Sequence, residues 1–546
     1  MAQLVEQTIG EFLEQRVAQV PDNEALVYED LNLRMTYTQF NNHVNDVAKA
    51  LMAVGLEKGD HFSVWTTNVA QWPGLQFGSG KMGAPLVTIN TNYRANELKY
   101  ILKQSDSKML VLIDQYRDHS FIETLYEICP ELRDSSPGSL ESAALPLLKT
   151  VVVISDQDYP GTYSWHDFIK LGEDVPDKAL AQRKASLTAH DVINLQYTSG
   201  TTGFPKGVML SHYNLINNAL NIAECMKLTS DDRLCIPVPF FHCFGCVIGT
   251  LTIVSAGGTM VPVREFEPSI VLKTVEQERC TALHGVPTMF ISELNLPNVT
   301  DFDLSSLRTG VMAGSTCPIE VMKGVMDTLG MKDITICYGQ TESSPVLTQT
   351  RTDDAIDLKV ETVGRALPNT EVRIVYPGTM DEVPSGVQGE ICARGYCVMK
   401  GYYNNPEATR EAVDADNWLH TGDLGTMDEA GYVRVTGRLK DMVIRGGENI
   451  YPREVEEFLY QHPAVLDVQV VGVPDAKYGE ELAAWIIPKD NQAVTEEEIR
   501  AFCDGQISRH KIPRYIFFMA EYPMTASGKV QKFKLRELFE IRRGEE

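Results

Sequence analysis

The segment Tyr197-Thr-Ser-Gly-Thr-Thr-Gly-Phe-Pro-Lys-Gly207 has the residue types needed to hold a polyphosphate. Gly200 and Gly203 let the backbone come close to a ligand. Thr198, Ser199, Thr201 and Thr202 supply hydroxyls, the bare N–H groups bond phosphate oxygens, and Lys206 adds a point charge. The run Val192-Ile-Asn-Leu-Gln196 before it reads as a buried strand, and a helical pattern opens near Ser211. The segment is therefore expected to form a strand–loop–helix unit, a usual phosphate cradle. It is not a P-loop, which would follow its lysine with Ser or Thr; here Pro205 precedes Lys206 and Gly207 follows. A flexible linker fits poorly, because structured sequence follows at once.

Four more segments carry polar groups in suggestive settings. Pro239-Phe-Phe-His-Cys-Phe-Gly245 places His242 among aromatics, where a histidine is ordinarily a satisfied core residue. Tyr338-Gly-Gln-Thr-Glu-Ser-Ser-Pro345 follows the β run Asp333-Ile-Thr-Ile-Cys337, and strand ends in open α/β sheets are where ligands bind. Glu342 could hold Mg²⁺ through one carboxylate, or be an exposed turn residue. His420-Thr-Gly-Asp-Leu424 offers Asp423 to a ribose or to an Asx-turn. Pro523-Met-Thr-Ala-Ser-Gly-Lys-Val-Gln-Lys532 places Lys529 on a Ser-Gly turn, where a lone lysine is normally a solvated charge.

These groups must be positioned by more than one core, because 546 residues exceed what a single core holds. Up to about residue 130, amphipathic helical stretches alternate with apolar runs such as Met109-Leu-Val-Leu-Ile113; Thr150-Val-Val-Val-Ile154 is a further strand. From about 190 to 350, β and helical runs alternate, which implies βαβ units and a parallel sheet. From 351 to 437 short strands separated by Gly and Pro suggest a small β-rich subdomain. After Gly437 the rhythm resets, with a helix near 453–461, strands near 465–473 and 482–488, and a helix near 495–508. The expected fold class is α/β: a large N-terminal domain (1–437) of parallel and mixed sheets plus the β-rich subdomain, and a small α+β C-terminal domain (438–546).

Composition removes several classes. Apolar content of 43% and charged content of 23% suit a globular protein. A net charge of −25 argues against nucleic-acid or anionic-membrane surfaces. Residues 243–263 carry no charge, but Gly245, Gly249, Gly257 and Gly258 interrupt them and Pro262 closes them. A buried helix, a turn and a short strand are expected there, not a membrane span. The N-terminus lacks a signal-peptide pattern, and 11 cysteines with no such pattern read as reduced thiols in a cytoplasm. Cys243 and Cys246 form the one CxxC pair, with no second pair at zinc-site spacing.

Taken together, the order and spacing of these motifs resemble the acyl-adenylate-forming enzymes: acyl-CoA synthetases, luciferases and peptide-synthetase adenylation domains. The resemblance spans nearly the whole chain. It is closest to medium-chain acyl-CoA synthetases of the ACSF2 type, through Arg394-Gly-Tyr-Cys-Val-Met399, Arg445-Gly-Gly-Glu-Asn-Ile-Tyr-Pro452 and Gln531-Lys-Phe-Lys-Leu-Arg-Glu537.

The resemblance implies ATP and CoA as co-substrates, Mg²⁺ as cofactor, and a small carboxylic acid as the acyl donor. The loop from Thr198 through Ser199, Gly200, Thr201, Thr202 and Gly203 to Lys206 would wrap the β- and γ-phosphates. Tyr338, with Gly339 beside it, would stack on adenine in a pocket lined by Gly314, Ser315 and Thr316; Thr341 would touch the α-phosphate and Glu342 would hold Mg²⁺. Asp423 and Arg438 would grip the ribose, and His242 would gate a carboxylate tunnel. Lys529 would act from a mobile C-terminal domain that swings about Lys440, bringing the CoA-side loop of Arg445, Gly446 and Gly447 to the site.

Carrier-directed amino-acid activation is disfavoured, because such modules place an acid near His242 and the segment Phe240-Phe-His-Cys-Phe has none. A luciferase-like oxygenase stays open; a non-catalytic scaffold would be expected to lose Lys529 or Glu342. The tunnel wall is expected from 240–251, 284–290 and 309–313, all without Lys or Arg, which favours a monocarboxylic acid. Medium-chain fatty acids lead, with alicyclic and aromatic acids as the alternative. A homodimer stays open.

Overall fold

The computed structural model describes residues 3–198, 205–315, 317–446, 448–475, 477–489, 494–525 and 529–545. Among these, the strands form two large sheets, a four-stranded antiparallel sheet and a five-stranded C-terminal sheet, besides a two-stranded ribbon. The architecture is the expected α/β class.

The nine-stranded sheet runs parallel through Glu24–Tyr28, Thr259–Pro262, Arg233–Ile236, Ala282–Gly285, Thr309–Met312 and Thr335–Tyr338. These strands are buried, so they read as continuous apolar runs instead of alternating ones. The eight-stranded sheet places Val192–Thr198 parallel to Leu86–Thr88 and antiparallel to Lys206–Ser211. The helices Gln71–Met82 and His212–Met226 are buried along most of their length and share one apolar cluster. Ser211 and Asn214 form the capping box that opens the second of these helices.

One expectation is corrected here. Thr198 pairs with Lys206 across an antiparallel hairpin, and the helix begins only after the second strand. The phosphate-type segment therefore joins two strands rather than a strand and a helix. Residues 199–204 themselves lie outside the described residues.

Residues 243–263 resolve into a π-helix (Phe244–Leu251), an α-helix (Thr252–Ala256), a turn at Gly257 and the strand Thr259–Pro262. The expected helix–turn–strand order holds, with the wider π winding as an addition. Among the described residues no helix is long and apolar enough to cross a membrane.

The four-stranded sheet orders Thr370–Val375, Gly389–Gly395, Leu419–Met427 and Val433–Arg438. A turn over 438–442 leads to Val443–Arg445, the first strand of the C-terminal sheet. The helix expected over 495–508 is shorter, Glu496–Cys503, because Asp504 turns extended and Gly505 takes a left-handed φ of 71°. The strand Tyr515–Phe518 and the helix Lys532–Glu545 complete this part.

Candidate active site

The site forms where the ends of both large sheets meet the four-stranded sheet and the turn that carries Lys529. Tyr338 ends the strand Thr335–Tyr338 and donates its hydroxyl to Asp423 Oδ2 at 2.9 Å. Asp423 sits opposite Arg438 on the adjacent strand, and Arg438 Nε approaches Asp423 Oδ1 at 3.2 Å. Burial pushes the Asp423 carboxyl above its ordinary range, against the pull of Arg438. A carboxylate kept near an arginine and a tyrosine hydroxyl is a ready acceptor for paired hydroxyl donors.

Beyond Tyr338 the chain makes a tight turn. A Cβ on Gly339 would lie 2.0 Å from the Pro345 carbonyl oxygen, so this approach needs glycine. The turn continues into a short 3₁₀ segment, Thr341–Ser343, that carries Glu342. Glu342 is buried, and its Oε1 accepts the Tyr402 hydroxyl at 2.7 Å. Lys206 places its ammonium 4.3 Å from the centroid of the Tyr402 ring. Tyr402 is held in turn because Lys400 N–H donates to Met209 O, Tyr403 N–H to Gly207 O and Met399 N–H to Glu342 O. Lys206, Tyr402 and Glu342 thus make one chain of contacts at the mouth of the 198–206 hairpin. Thr198 closes it by donating its hydroxyl to Lys206 O at 3.5 Å.

Lys529 enters from the C-terminal part. Its backbone is fixed by a reciprocal pair with Thr525: Lys529 N–H donates to Thr525 Oγ1 at 2.9 Å, and Thr525 N–H to Lys529 O at 2.7 Å. The side chain reaches Gly314, where an added Cβ would stand 3.7 Å from Lys529 Cε and 3.0 Å from Val286. Gly314 has a φ of 96°, which a residue with a Cβ rarely adopts. Burial lowers the Lys529 pKa from the ordinary lysine value; Cys243, Asp423 and Glu342 act against that and Arg438 adds to it. The ammonium therefore lies in the field of the Asp423–Arg438 pair and of Glu342.

His242 precedes the π-helix and is held neutral: burial and then Lys529 bring its pKa down to about 3. Its Nδ1 accepts Phe244 N–H at 3.1 Å, which fixes the ring. Cys243 Sγ lies 3.7 Å from Thr341 Oγ1, so Thr341 and the histidine segment face each other. Behind them, Phe244, Val247, Ile248, Val286, Met289 and Ala313 belong to one apolar cluster. His284 bridges its walls, with Nε2 3.0 Å from Ile248 O and Nδ1 accepting Val311 N–H at 3.1 Å. Phe290 and Met312, expected on the same wall, pack into a separate cluster instead. Strand alternation sends neighbours to opposite faces, so only half of the strand Thr309–Met312 can line one cavity.

The other expected residues divide. Ser315 is exposed beside Gly314. Lys440 is exposed on the turn over 438–442, whose Asp441 pairs with Arg536 at 3.0 Å. Arg445 pairs with Glu481 at 2.7 Å and lies over the Tyr478 ring, and Gly446 N–H donates to Tyr478 O. These contacts keep Arg445 and Gly446 within the C-terminal sheet, not with the groups around Lys529. Ser199, Gly200, Thr201, Thr202, Gly203, Thr316 and Gly447 lie outside the described residues. Tyr402 was missed by sequence reasoning: Gly-Tyr-Tyr403 has no chemical signature, and its partner is 60 residues away.

Comparison with known proteins fits this geometry. Residues 13–403 match the model of the AMP-binding enzyme, and residues 454–529 match that of the AMP-binding enzyme C-terminal domain. YngI of Bacillus subtilis (strain 168), named as a candidate acyl-CoA synthetase, is 61% identical over 537 residues, covering 98% of each chain. The mitochondrial medium-chain acyl-CoA ligase ACSF2 of Bos taurus is 43% identical, over 98% of this chain and 88% of its own. The crystal structure of the anthranilate CoA ligase AuaEII in complex with anthranoyl-AMP superposes with a TM-score of 0.85 at 29% identity, covering 98% of both chains.

Proposed function

We propose, from the premise that this chain belongs to the AMP-binding enzyme family, that it is an AMP-forming acyl-CoA synthetase whose acid is a medium-chain fatty acid. The observation that carries this reading is Lys529 seated at Gly314, within the field of Glu342, Asp423 and Arg438 and beside neutral His242. A cation so placed can bridge a substrate carboxylate and an α-phosphate as negative charge develops between them.

A carboxylate cannot acylate a thiol directly, because oxide is too poor a leaving group. Attack of the carboxylate oxygen on the α-phosphorus of ATP forms a P–O bond, breaks the bond to pyrophosphate and leaves acyl-AMP. Such a step needs positioning and charge neutralisation more than covalent help. Asp423 would accept the ribose hydroxyls with Arg438 beside it, Tyr338 would stack on adenine, and Gly339, Gly314, Ser315 and Thr316 would line that pocket. Thr341 would contact the α-phosphate. The hairpin from Thr198 to Lys206 would hold the β- and γ-phosphates.

Glu342 suits a hard divalent cation: it is a buried oxygen donor whose Oε1 is already held by Tyr402, which restrains the carboxylate. Mg²⁺ there would neutralise phosphate charge. In the second half-reaction the CoA thiol attacks the mixed anhydride and AMP leaves. We assign that step to a swing of residues 438–546 about Lys440 that withdraws Lys529 and presents Arg445, Gly446 and Gly447. The apolar, uncharged segments behind His242 support a monocarboxylic acid, the 43% identity to the medium-chain ligase ACSF2 of Bos taurus supports medium chain length, and we place the reaction in the cytoplasm.

The test is thioester and AMP formation with ATP, Mg²⁺ and CoA across acids from acetate to palmitate, with benzoate and cyclohexanecarboxylate added. A CoA-dependent optimum at medium chain length is expected. An optimum at the ring acids would replace the fatty-acid assignment, and pyrophosphate release without thioester would overturn the synthetase.

A further inference from the structure

Three donor groups of different chemistry meet on the four-stranded sheet. Glu390 and Cys392 lie two apart on the strand Gly389–Gly395, so their side chains leave the same face. Cys392 is paired directly with His420 on the neighbouring strand. His420 Nδ1 stands 3.5 Å from Cys392 Sγ and 3.4 Å from Glu390 Oε2. One donor atom from each residue lies within 4.8 Å of the other two. A tetrahedral ion with ligand bonds of about 2.0–2.3 Å keeps its donors roughly 3.3–3.6 Å apart, and both close separations fall in that interval.

The outer contacts also suit a metal. Glu390 Oε1 accepts Gly422 N–H at 3.1 Å, which fixes the carboxylate and turns Oε2 toward His420. His420 Nε2 faces Asp414 Oδ2 at 3.8 Å. Metal-bound histidines commonly present their second nitrogen to a carboxylate, which sets the tautomer and frees the other nitrogen to ligate. Glu390 and Cys392 are buried, whereas the His420 and Asp414 side chains are 23% and 26% exposed, so an ion can enter from that side.

We propose that Glu390, Cys392 and His420 form a binding site for zinc or a similar borderline-soft divalent ion, with water as fourth ligand and Asp414 orienting His420. A thiolate in the set selects against Mg²⁺ and Ca²⁺, so this site is distinct in chemistry from Glu342. On binding, the Cys392 thiol releases its proton to solvent and its sulfur forms the metal bond. His420 ligates through neutral Nδ1 and keeps its proton on Nε2. Pairing slips by two residues between Glu390 and Cys392, and the extra residues of the His420 strand lead to Asp423. A metal here braces the segment that presents Asp423 to Tyr338 and Arg438.

The test is titration of the full, metal-stripped chain with Co²⁺, read by absorption, followed by displacement with Zn²⁺. One equivalent should produce a thiolate-to-cobalt charge-transfer band with strong tetrahedral d–d bands, both removed by Zn²⁺. Cys392→Ser should lose the charge-transfer band. Asp414→Asn, which keeps every ligand, should weaken Zn²⁺ binding about 10-fold. Absence of the tetrahedral bands in the unaltered chain overturns the site. So does a charge-transfer band that survives in Cys392→Ser. Should that variant not fold, unchanged Zn²⁺ affinity in Asp414→Asn overturns it.

Discussion

Tyr402 donates its hydroxyl to Glu342 at 2.7 Å, joining the edge of the phosphate hairpin to the turn that follows the strand Thr335–Tyr338. The bond occupies one oxygen of the carboxylate and fixes the direction of the other. Tyr402→Phe keeps the ring under Lys206 and removes only the hydroxyl. It should raise the Mg²⁺ concentration for half-maximal adenylation by about 10-fold, the cost of losing a ligand's outer partner. Mg²⁺ titration of pyrophosphate exchange measures this; an unchanged midpoint would detach Tyr402 from the metal.

Asp423→Asn keeps an acceptor for the Tyr338 hydroxyl and cancels the attraction of Arg438. Charge-assisted bonds contribute about 1.5–3 kcal/mol, so KM for ATP should rise roughly 10- to 100-fold while kcat for adenylation changes less. Initial-rate kinetics with varied ATP check this. Equal losses in kcat at unchanged KM would place Asp423 on the reacting atoms instead of the ribose.

Ile248 sits on the π-helix wall, tied to the facing strand through His284. Ile248→Ala should shift the acid optimum toward longer chains and cost about 2–4 kcal/mol of folding stability, as for other large-to-small core changes. Chain-length profiles and denaturant unfolding measure the two effects. Lost stability with an unmoved optimum would mean that this wall faces away from the acyl group.

Much of this arrangement was legible in the sequence where the signal is local. Thr198 to Lys206 marks itself as a phosphate-type segment by residue type and spacing, whereas Glu342 and Lys529 each read alone as a turn residue and a solvated charge, and their roles came with the family resemblance. The buried parallel strands announce themselves as apolar runs. What was hidden depends on partners far along the chain. Tyr338 meets Asp423 across 85 residues, and Glu390 meets His420 across 30 through a slipped register. The apolar run at 243–251 revealed burial but not its π winding, because an all-apolar stretch has no period to read.

Burial holds Lys529 below the ordinary lysine range, and its protonated form is the one that can neutralise charge. A group with a depressed pKa loses its proton sooner as pH rises. The adenylation kcat/KM should therefore fall on the alkaline side at a pH below the ~10.4 of a free lysine. In Lys529→Arg the guanidinium stays charged and that limb should disappear, at a lower plateau rate. The same alkaline limb in both proteins would assign the titration to another group.

The most direct test separates the two half-reactions in Lys529→Ala. Pyrophosphate exchange with ATP and the acid should fall by about 100- to 1,000-fold, equivalent to roughly 3–4 kcal/mol for one lost donor. Thioester formation from preformed acyl-AMP and CoA should stay near the wild-type rate, because the proposed swing withdraws Lys529 for that step. Equal loss in both half-reactions would contradict the account, since the lysine would then serve the site as a whole rather than adenylation alone.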